Sequence, residues 1–247
     1  MLKGLLKELI EKIVDIWASL ERFSFPSKYR WRWKLEMLLK RYEPETTKFV
    51  VDHLKPGMVV LDIGAHIGYY TRLAARLVGK GGQVHAFEPD DENFALLEKN
   101  TSKYDNVILH KMAVGEKDGY IDFYHVENST GCHTTVRPSG HYQEKRVTVT
   151  TIDSLVDKSI VRTVDFIKLD VEGGEWAAVN GMKKLLSSGK DVRLVVEVDE
   201  DDLGHAGYTC ERFIGLLESF GFAIVGKTGS KDRTETNIFF AKNHRHE

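Results

Sequence analysis

The stretch Val59-Val60-Leu61-Asp62-Ile63-Gly64-Ala65-His66-Ile67-Gly68-Tyr69-Tyr70 restricts this chain more than any other. Val59 to Ile63 is a short apolar run interrupted only by Asp62, which predicts a strand buried on both faces, as in a parallel sheet. Gly64 and Gly68 punctuate a turn. From Tyr70 to Val78 the periodicity is helical, with Leu73, Leu77, Ala74 and Val78 to one side. Strand, glycine turn and helix in that order bring bare backbone and a helix N-terminus up to a ligand.

Two acids narrow the ligand. The turn reads G-A-H-I-G, with His66 where a middle glycine would stand, so it is not the dinucleotide fingerprint G-x-G-x-x-G. Val84 to Glu88, followed by Pro89, predicts a second strand, and Glu88 lies 24 residues after Gly64. An acid at that tip accepts hydrogen bonds from both hydroxyls of a ribose and repels a 2′-phosphate. Asp62 would repel a pyrophosphate and suits an amino group or a sulfonium. S-adenosylmethionine (SAM) carries both, with a ribose for Glu88. The alternative for Asp62 is that it caps the turn behind it.

Composition enters as a set of exclusions. A chain of 247 residues with 42% hydrophobic and 29% charged residues is one large domain or two small ones with a sizeable core. A net charge of -2 gives no pull toward nucleic acid, and none is expected as a partner. Cys132 and Cys210 lie in no metal-ligand spacing, which points to a reduced, cytoplasmic compartment. No apolar run reaches the roughly 18 residues of a membrane span. Lys7, Glu8, Glu11 and Lys12 interrupt the N-terminal apolar positions, so no secretory signal is expected.

Along the chain, residues 2–20 predict an amphipathic helix that packs on the main domain, on a second copy, or peripherally on a membrane. Residues 28–41 are basic and aromatic, from Lys28 through Trp31 and Trp33 to Arg41. Glu43-Pro44-Glu45 starts a new helix. Strands and helices then alternate, which predicts a doubly wound α/β fold over residues 46–247 behind a helical extension, residues 1–45. The third strand, Asn106–His110, ends near Met112 to Val114. There the alternation breaks for a β insertion, with strands Tyr120–Val126 and Lys145–Thr151 and a loop Glu127–Thr135 between them. The fourth strand, Val164–Asp170, leads through Glu172-Gly173-Gly174 into one helix reaching Leu186. The fifth is Val192–Val198, a helix covers Cys210–Phe220, and Phe222–Val225 with Asn237–Ala241 form an antiparallel edge pair.

Acids recur where parallel strands end: Asp62, Glu88, Asp170 with Glu172, and Glu197. Ligands bind outside the carboxyl ends of such strands. Lys168 alternates with Asp170 and points to the same face.

Asp62-Ile63-Gly64-Ala65-His66-Ile67-Gly68, Phe87-Glu88-Pro89, Ile167-Lys168-Leu169-Asp170-Val171-Glu172-Gly173-Gly174-Glu175 and Val196-Glu197-Val198 together resemble the FkbM family of SAM-dependent methyltransferases, over about residues 57–200. The resemblance implies a class I methyltransferase, Rossmann-like: a mostly parallel seven-stranded sheet with its last strand antiparallel. It implies O-methylation of a hydroxyl on a small molecule, glycan or lipid-linked sugar. Asp62, Gly64, Ala65, His66 and Gly68 would wrap the methionine end of SAM. Glu88 would hold the ribose, with Pro89 and Ala113 in the same cofactor-binding set, and Asp170 would lie beside the reacting methyl group. His66 stands where the family more often has Asn. Residues 1–45 have no counterpart.

A hydroxyl needs a base as its new bond forms. Asp170 is the first candidate and Glu172 the second. Lys168 would hold that carboxylate or steer the hydroxyl, and His133 is a further candidate. Asp170 with Glu197 could instead bind a divalent metal. The competing readings are an NAD-binding oxidoreductase and a non-enzymatic membrane-peripheral protein with a relic pocket. No [D/N]-P-P-[Y/F/W] block follows the fourth strand, which disfavours amino methylation.

Overall fold

The computed structural model describes residues 2–27, 29–126, 133–138, 141–229 and 235–242. Lys28 and the loop residues Glu127–Cys132, both singled out above, lie outside them.

Three helices come first, α1 (Leu2–Leu20), α2 (Trp31–Leu38) and α3 (Pro44–His53). Then follow β1 (Val59–Ile63), α4 (Tyr69–Val78), β2 (Gln83–Phe87), α5 (Asp91–Thr101) and β3 (Val107–His110). β4 (Ala113–Val114), β5 (Gly119–Val126) and β6 (Tyr142–Thr150) make the insertion, closed by α6 (Ile152–Asp157). β7 (Phe166–Leu169), α7 (Glu175–Asn180), α8 (Lys183–Ser187), β8 (Arg193–Asp199), α9 (Glu200–His205), α10 (Cys210–Ser219), β9 (Phe222–Gly229) and β10 (Glu235–Lys242) complete the chain.

The main sheet has seven strands in the order β3-β2-β1-β7-β8-β10-β9. Its pairs are parallel from β3 to β8, and β10 runs antiparallel to both β8 and β9. The strand order reverses between β1 and β7, which opens the crevice where such folds take ligands. One core lies against α7, α8 and α10 through Ile167, Met182, Leu186, Phe213 and Leu217. The other lies under α3 and α4, where Val60, Leu73 and Phe166 pack with Phe23, Met37 and Val50. Burial on both faces is why β1 and β7 read as apolar runs.

The extension is fastened to the main sheet's helices. Arg72 of α4 donates to the carbonyls of Glu21 and Arg22 at 2.9 and 2.7 Å, and stacks on Phe23 at 4.5 Å. Asn100 of α5 exchanges two hydrogen bonds with the Ser24 backbone. On α1, Val14 and Ala18 are buried, while Leu5, Leu6, Leu9, Ile13, Ile16 and Leu20 are exposed. Among the described residues no helix is long and apolar enough to cross a membrane.

Four local expectations change. The helix expected from Gly174 to Leu186 is two helices, α7 and α8, because Gly181 passes against the insertion: a Cβ there would sit 1.9 Å from the Gly115 carbonyl oxygen. Ala113–Val114 is not the tail of β3. It pairs parallel with β6 and makes the insertion a three-stranded sheet. The six-residue α9 was not anticipated; Asp199 caps it by accepting from Asp201 and Asp202 N–H, a signal hidden in the run of four acids from Asp199 to Asp202. The edge strand β9 runs to Gly229, beyond the apolar stretch that announced it.

Candidate active site

Parallel register sets the row of acids. Asp62 of β1 pairs with Lys168 of β7, Lys168 with Val195 of β8, and Asp62 with Ala86 of β2. Residues paired in register share a face, so Asp62 and Lys168 stand side by side. Glu88 follows β2, Asp170 follows β7, and Glu197 lies on β8.

The glycine turn is built around contact with Asp170. A Cβ on Gly64 would lie 1.6 Å from the Asp170 carbonyl oxygen, and Gly64 has φ +83°. Only glycine meets both demands. Asp170 N–H in turn donates to the Ile63 carbonyl at 3.0 Å. Four of the turn's N–H groups are bonded within the protein. Gly64 and Ala65 donate to the Phe87 carbonyl, Gly68 to the Ala65 carbonyl, and His66 to Glu88 Oε2 at 2.9 Å. They are therefore not the open cradle that a dinucleotide pyrophosphate needs, and the oxidoreductase reading loses its anion site.

Glu88 is buried, and its second oxygen accepts from Asp90 N–H at 2.9 Å. Burial pushes its carboxyl up to about 8, against the lowering effect of the Asp90 and His66 N–H groups. A carboxylate has about four acceptor positions, so room remains for ribose hydroxyls. Asp62 is buried too. Its Oδ2 accepts from Thr71 Oγ1 at 2.5 Å in the first turn of α4, so Asp62 is tied to the helix and does not cap the glycine turn as the alternative above had it. Its Oδ1 is buried without a hydrogen-bond partner. Burial raises the Asp62 carboxyl, with Lys168 and Thr71 pulling it back. A buried carboxyl oxygen with no protein partner behind a glycine turn fits a cationic sulfur nucleoside better than a phosphate. Ala65 is buried against Ala86 and Leu97, and a Cβ at Gly68 would meet Leu97, so both place α4 rather than expose polar groups. Pro89 is half-buried beside Glu88, and Ala113 is buried in β4.

On the β7 side Lys168 Nζ bonds Asp170 Oδ2 at 2.7 Å. Burial opposes a charge on Lys168, but Asp170, Glu43, Glu197 and Asp62 together hold its pKa above the ordinary lysine value. It stays an ammonium, so it cannot serve as the base. Its Nζ lies 4.8 Å from the centre of the Tyr70 ring, and Tyr70 Oη donates to Glu43 Oε2 at 2.8 Å. Glu43 itself is in the left-handed region, φ 42°, at the N-cap of α3. Non-glycine residues rarely adopt it, and such strain clusters at functional sites. His66 and Glu172 share it, with φ 50° and 51°.

Glu172 is engaged elsewhere: its side chain bonds Asp202, and its carbonyl accepts from Thr134 Oγ1. His133 is not an exposed loop residue. It is buried beside His125, rings 4.0 Å apart, and accepts from Val126 N–H at 3.2 Å. Burial and the neighbouring His125 push it down to about 4, so it is neutral. Lys168 occupies the place beside Asp170 where a metal was considered, and Glu197 accepts from Asn237 Nδ2.

Three residues gain a role that the sequence did not assign. Glu43 was noticed only as a helix start, and Tyr70 only as a helix start beyond the turn. Glu175, quoted in the motif, is buried and accepts from Val171 and Gly173 N–H at 3.2 Å, which fixes the turn behind Asp170. An acid directly after a glycine pair is the signal that could have found it.

The sequence matches the profile of the Methyltransferase FkbM domain over residues 62–224. It is 28% identical over 182 residues to 2-O-methyltransferase NoeI of Sinorhizobium fredii, covering 67% of this chain and 73% of that protein. It is 26% identical over 159 residues to hexuronic acid methyltransferase AglP of Haloferax volcanii, covering 63% and 62%. Its fold is similar to the crystal structure of a methyltransferase FkbM from Methylobacillus flagellatus, with a TM-score of 0.50 and 16% identity, covering 93% of this chain and 59% of that one.

Proposed function

The chain belongs to the FkbM family of SAM-dependent methyltransferases, and on that premise we propose that it methylates a hydroxyl of a glycan or small molecule with Asp170 as the base. The carrying observation is contiguity: Asp170 abuts Gly64 of the cofactor turn while its carboxylate is held by Lys168. The relatives named for 2-O- and hexuronic acid methylation support an acceptor of this class.

SAM, when bound, supplies an electrophilic methyl group on a sulfonium. Glu88 and the turn Gly64–Gly68 hold it, and Asp62 positions that turn through α4. Asp170 orients the acceptor hydroxyl and takes its proton as the hydroxyl oxygen becomes the nucleophile. Lys168 fixes the carboxylate through its 2.7 Å bond to Oδ2. Tyr70 and Glu43 fix Lys168 from the other side, which makes them positioning residues. Glu172, turned toward Asp202, is the weaker candidate for the proton. His133, neutral and packed on His125, has no place in the transfer.

Calorimetric titration with SAM, followed by transfer of labelled methyl to hydroxylated sugars, is the test. Absence of SAM binding would remove the whole reading; binding with methyl groups found only on nitrogen would remove the hydroxyl. The exposed apolar stripe of α1 is the surface through which peripheral membrane contact or self-association would run. Vesicle flotation of the full chain and of Ile13→Glu separates a docking stripe from an inert one.

A further inference from the structure

One cluster of ligating side chains takes no part in the chemistry above. Tyr124 and Thr134 form an antiparallel bridge, exchanging backbone hydrogen bonds of 2.8 and 3.2 Å. The next positions across that bridge are His125 and His133, which therefore face one another, their rings 4.0 Å apart. Both meet Asp90. Its Oδ1 is fixed by the Glu92 and Asn93 N–H groups at the start of α5, and its Oδ2 lies 2.9 Å from His125 Nδ1. One ligand atom from each of Asp90, His125 and His133 lies within 4.8 Å of the other two.

The plain account is a hydrogen-bonded pair: His125 on Asp90, with Lys145 Nζ standing 3.7 Å from the same oxygen. That account covers His125 but gives His133 only a backbone N–H at 3.2 Å. It does not explain why a second imidazole is buried face to face with the first beside a buried carboxylate.

We propose that Asp90, His125 and His133 bind one divalent transition-metal ion of the zinc, cobalt or nickel kind, which ties the insertion to the end of β2. Two imidazoles and one carboxylate suit these ions, whereas calcium and magnesium prefer oxygen ligands throughout. Metal–ligand bonds of about 2.0–2.2 Å put adjacent ligand atoms about 3.0–3.5 Å apart. Asp90 and His125, at 2.9 Å, are just under that spacing. His133 reaches it by turning its ring, giving up the Val126 N–H. Three protein ligands leave a position for water. Asp90 N–H donates to Glu88 Oε1, so the ion would brace the residue assigned to the ribose.

The test uses the full chain with His244→Ala and His246→Ala, so that the histidines near the chain end do not bind metal themselves. After treatment with a chelator, the protein is titrated with Co(II), followed by its visible absorption, and then with competing Zn(II). One equivalent should bind. His125→Ala and His133→Ala should each weaken binding at least tenfold, and Lys145→Ala, which removes a competing cation, should tighten it. Asp90→Asn keeps the helix cap and tests the site if a histidine variant does not fold. No stoichiometric binding, or binding that the substitutions leave unchanged, overturns the proposal. Neither result depends on SAM binding or on the acceptor, so the methyltransferase reading stands or falls separately.

Discussion

Glu88 and Asp170 are both acids that follow a parallel strand, yet they are bonded to different partners. Glu88 accepts from two backbone N–H groups, His66 and Asp90, within 22 residues of chain. Asp170 is bonded to a lysine side chain, and that lysine is framed by Tyr70 of α4 and by Glu43 of the extension, whose own tie spans 27 residues. The first acid is part of a local turn and depends on backbone geometry. The second is part of a side-chain assembly drawn from three segments. The first can therefore be read from spacing and disrupted through the backbone. The second needs the tertiary fold and fails through charge.

Gly64→Ala should erase the difference by damaging both sides, since its Cβ would meet the Asp170 carbonyl at 1.6 Å. A loss of about 4 kcal/mol or more, at the severe end for one substitution, should appear in denaturant unfolding. Near-normal stability would mean that the two strand ends are not in contact. Asp170→Asn should act on chemistry alone: turnover falls about 10²–10⁴-fold, the usual range for a lost base, while SAM affinity stays within a few-fold. Equal losses in both would place Asp170 in the cofactor site instead.

Glu88→Ala should do the reverse. Two buried N–H groups lose their acceptor, costing about 2–4 kcal/mol of stability, and SAM binding weakens at least tenfold. The pH dependence sharpens the point. Burial raises Glu88 from 4.5 to about 8, so its contribution to the free protein's stability is present below 4.5 and is lost as pH rises through about 8. Glu175, raised by burial to about 7, adds to the same slope. Ribose hydroxyls donate to the ionised carboxylate, so SAM should bind more tightly as pH rises through about 8. A flat affinity profile from pH 6 to 9 would detach Glu88 from the ribose.

The smallest effect belongs to Tyr70→Phe. It removes the donor to Glu43 and keeps the ring beside Lys168. Turnover should fall about threefold to tenfold, matching the roughly 1 kcal/mol of one hydrogen bond, with SAM affinity unchanged. A change in SAM affinity alone would move Tyr70 to the cofactor side.

Much of this architecture was legible because it is local. Apolar runs that are buried on both faces, glycines at 64 and 68, and acids at strand ends follow from periods of two and 3.6 and from φ requirements. Those features fixed the alternating fold, the antiparallel edge pair and the positions of Asp62, Glu88, Lys168 and Asp170. The break at Gly181 was not legible, since it answers to Gly115 across the fold. Neither was Asp62's attachment to Thr71 in preference to open solvent.

What tertiary structure alone decided is which charged groups meet. Glu43 reaches Tyr70, and through its ring Lys168, only because α3 packs on α4 over β1 and β7. His133 faces His125 only because Thr134 bridges Tyr124. No local period encodes contacts of that kind. They depend on chain segments far apart in sequence being held in register by a common core, and the charge on Lys168 is set by that assembly rather than by the residue itself.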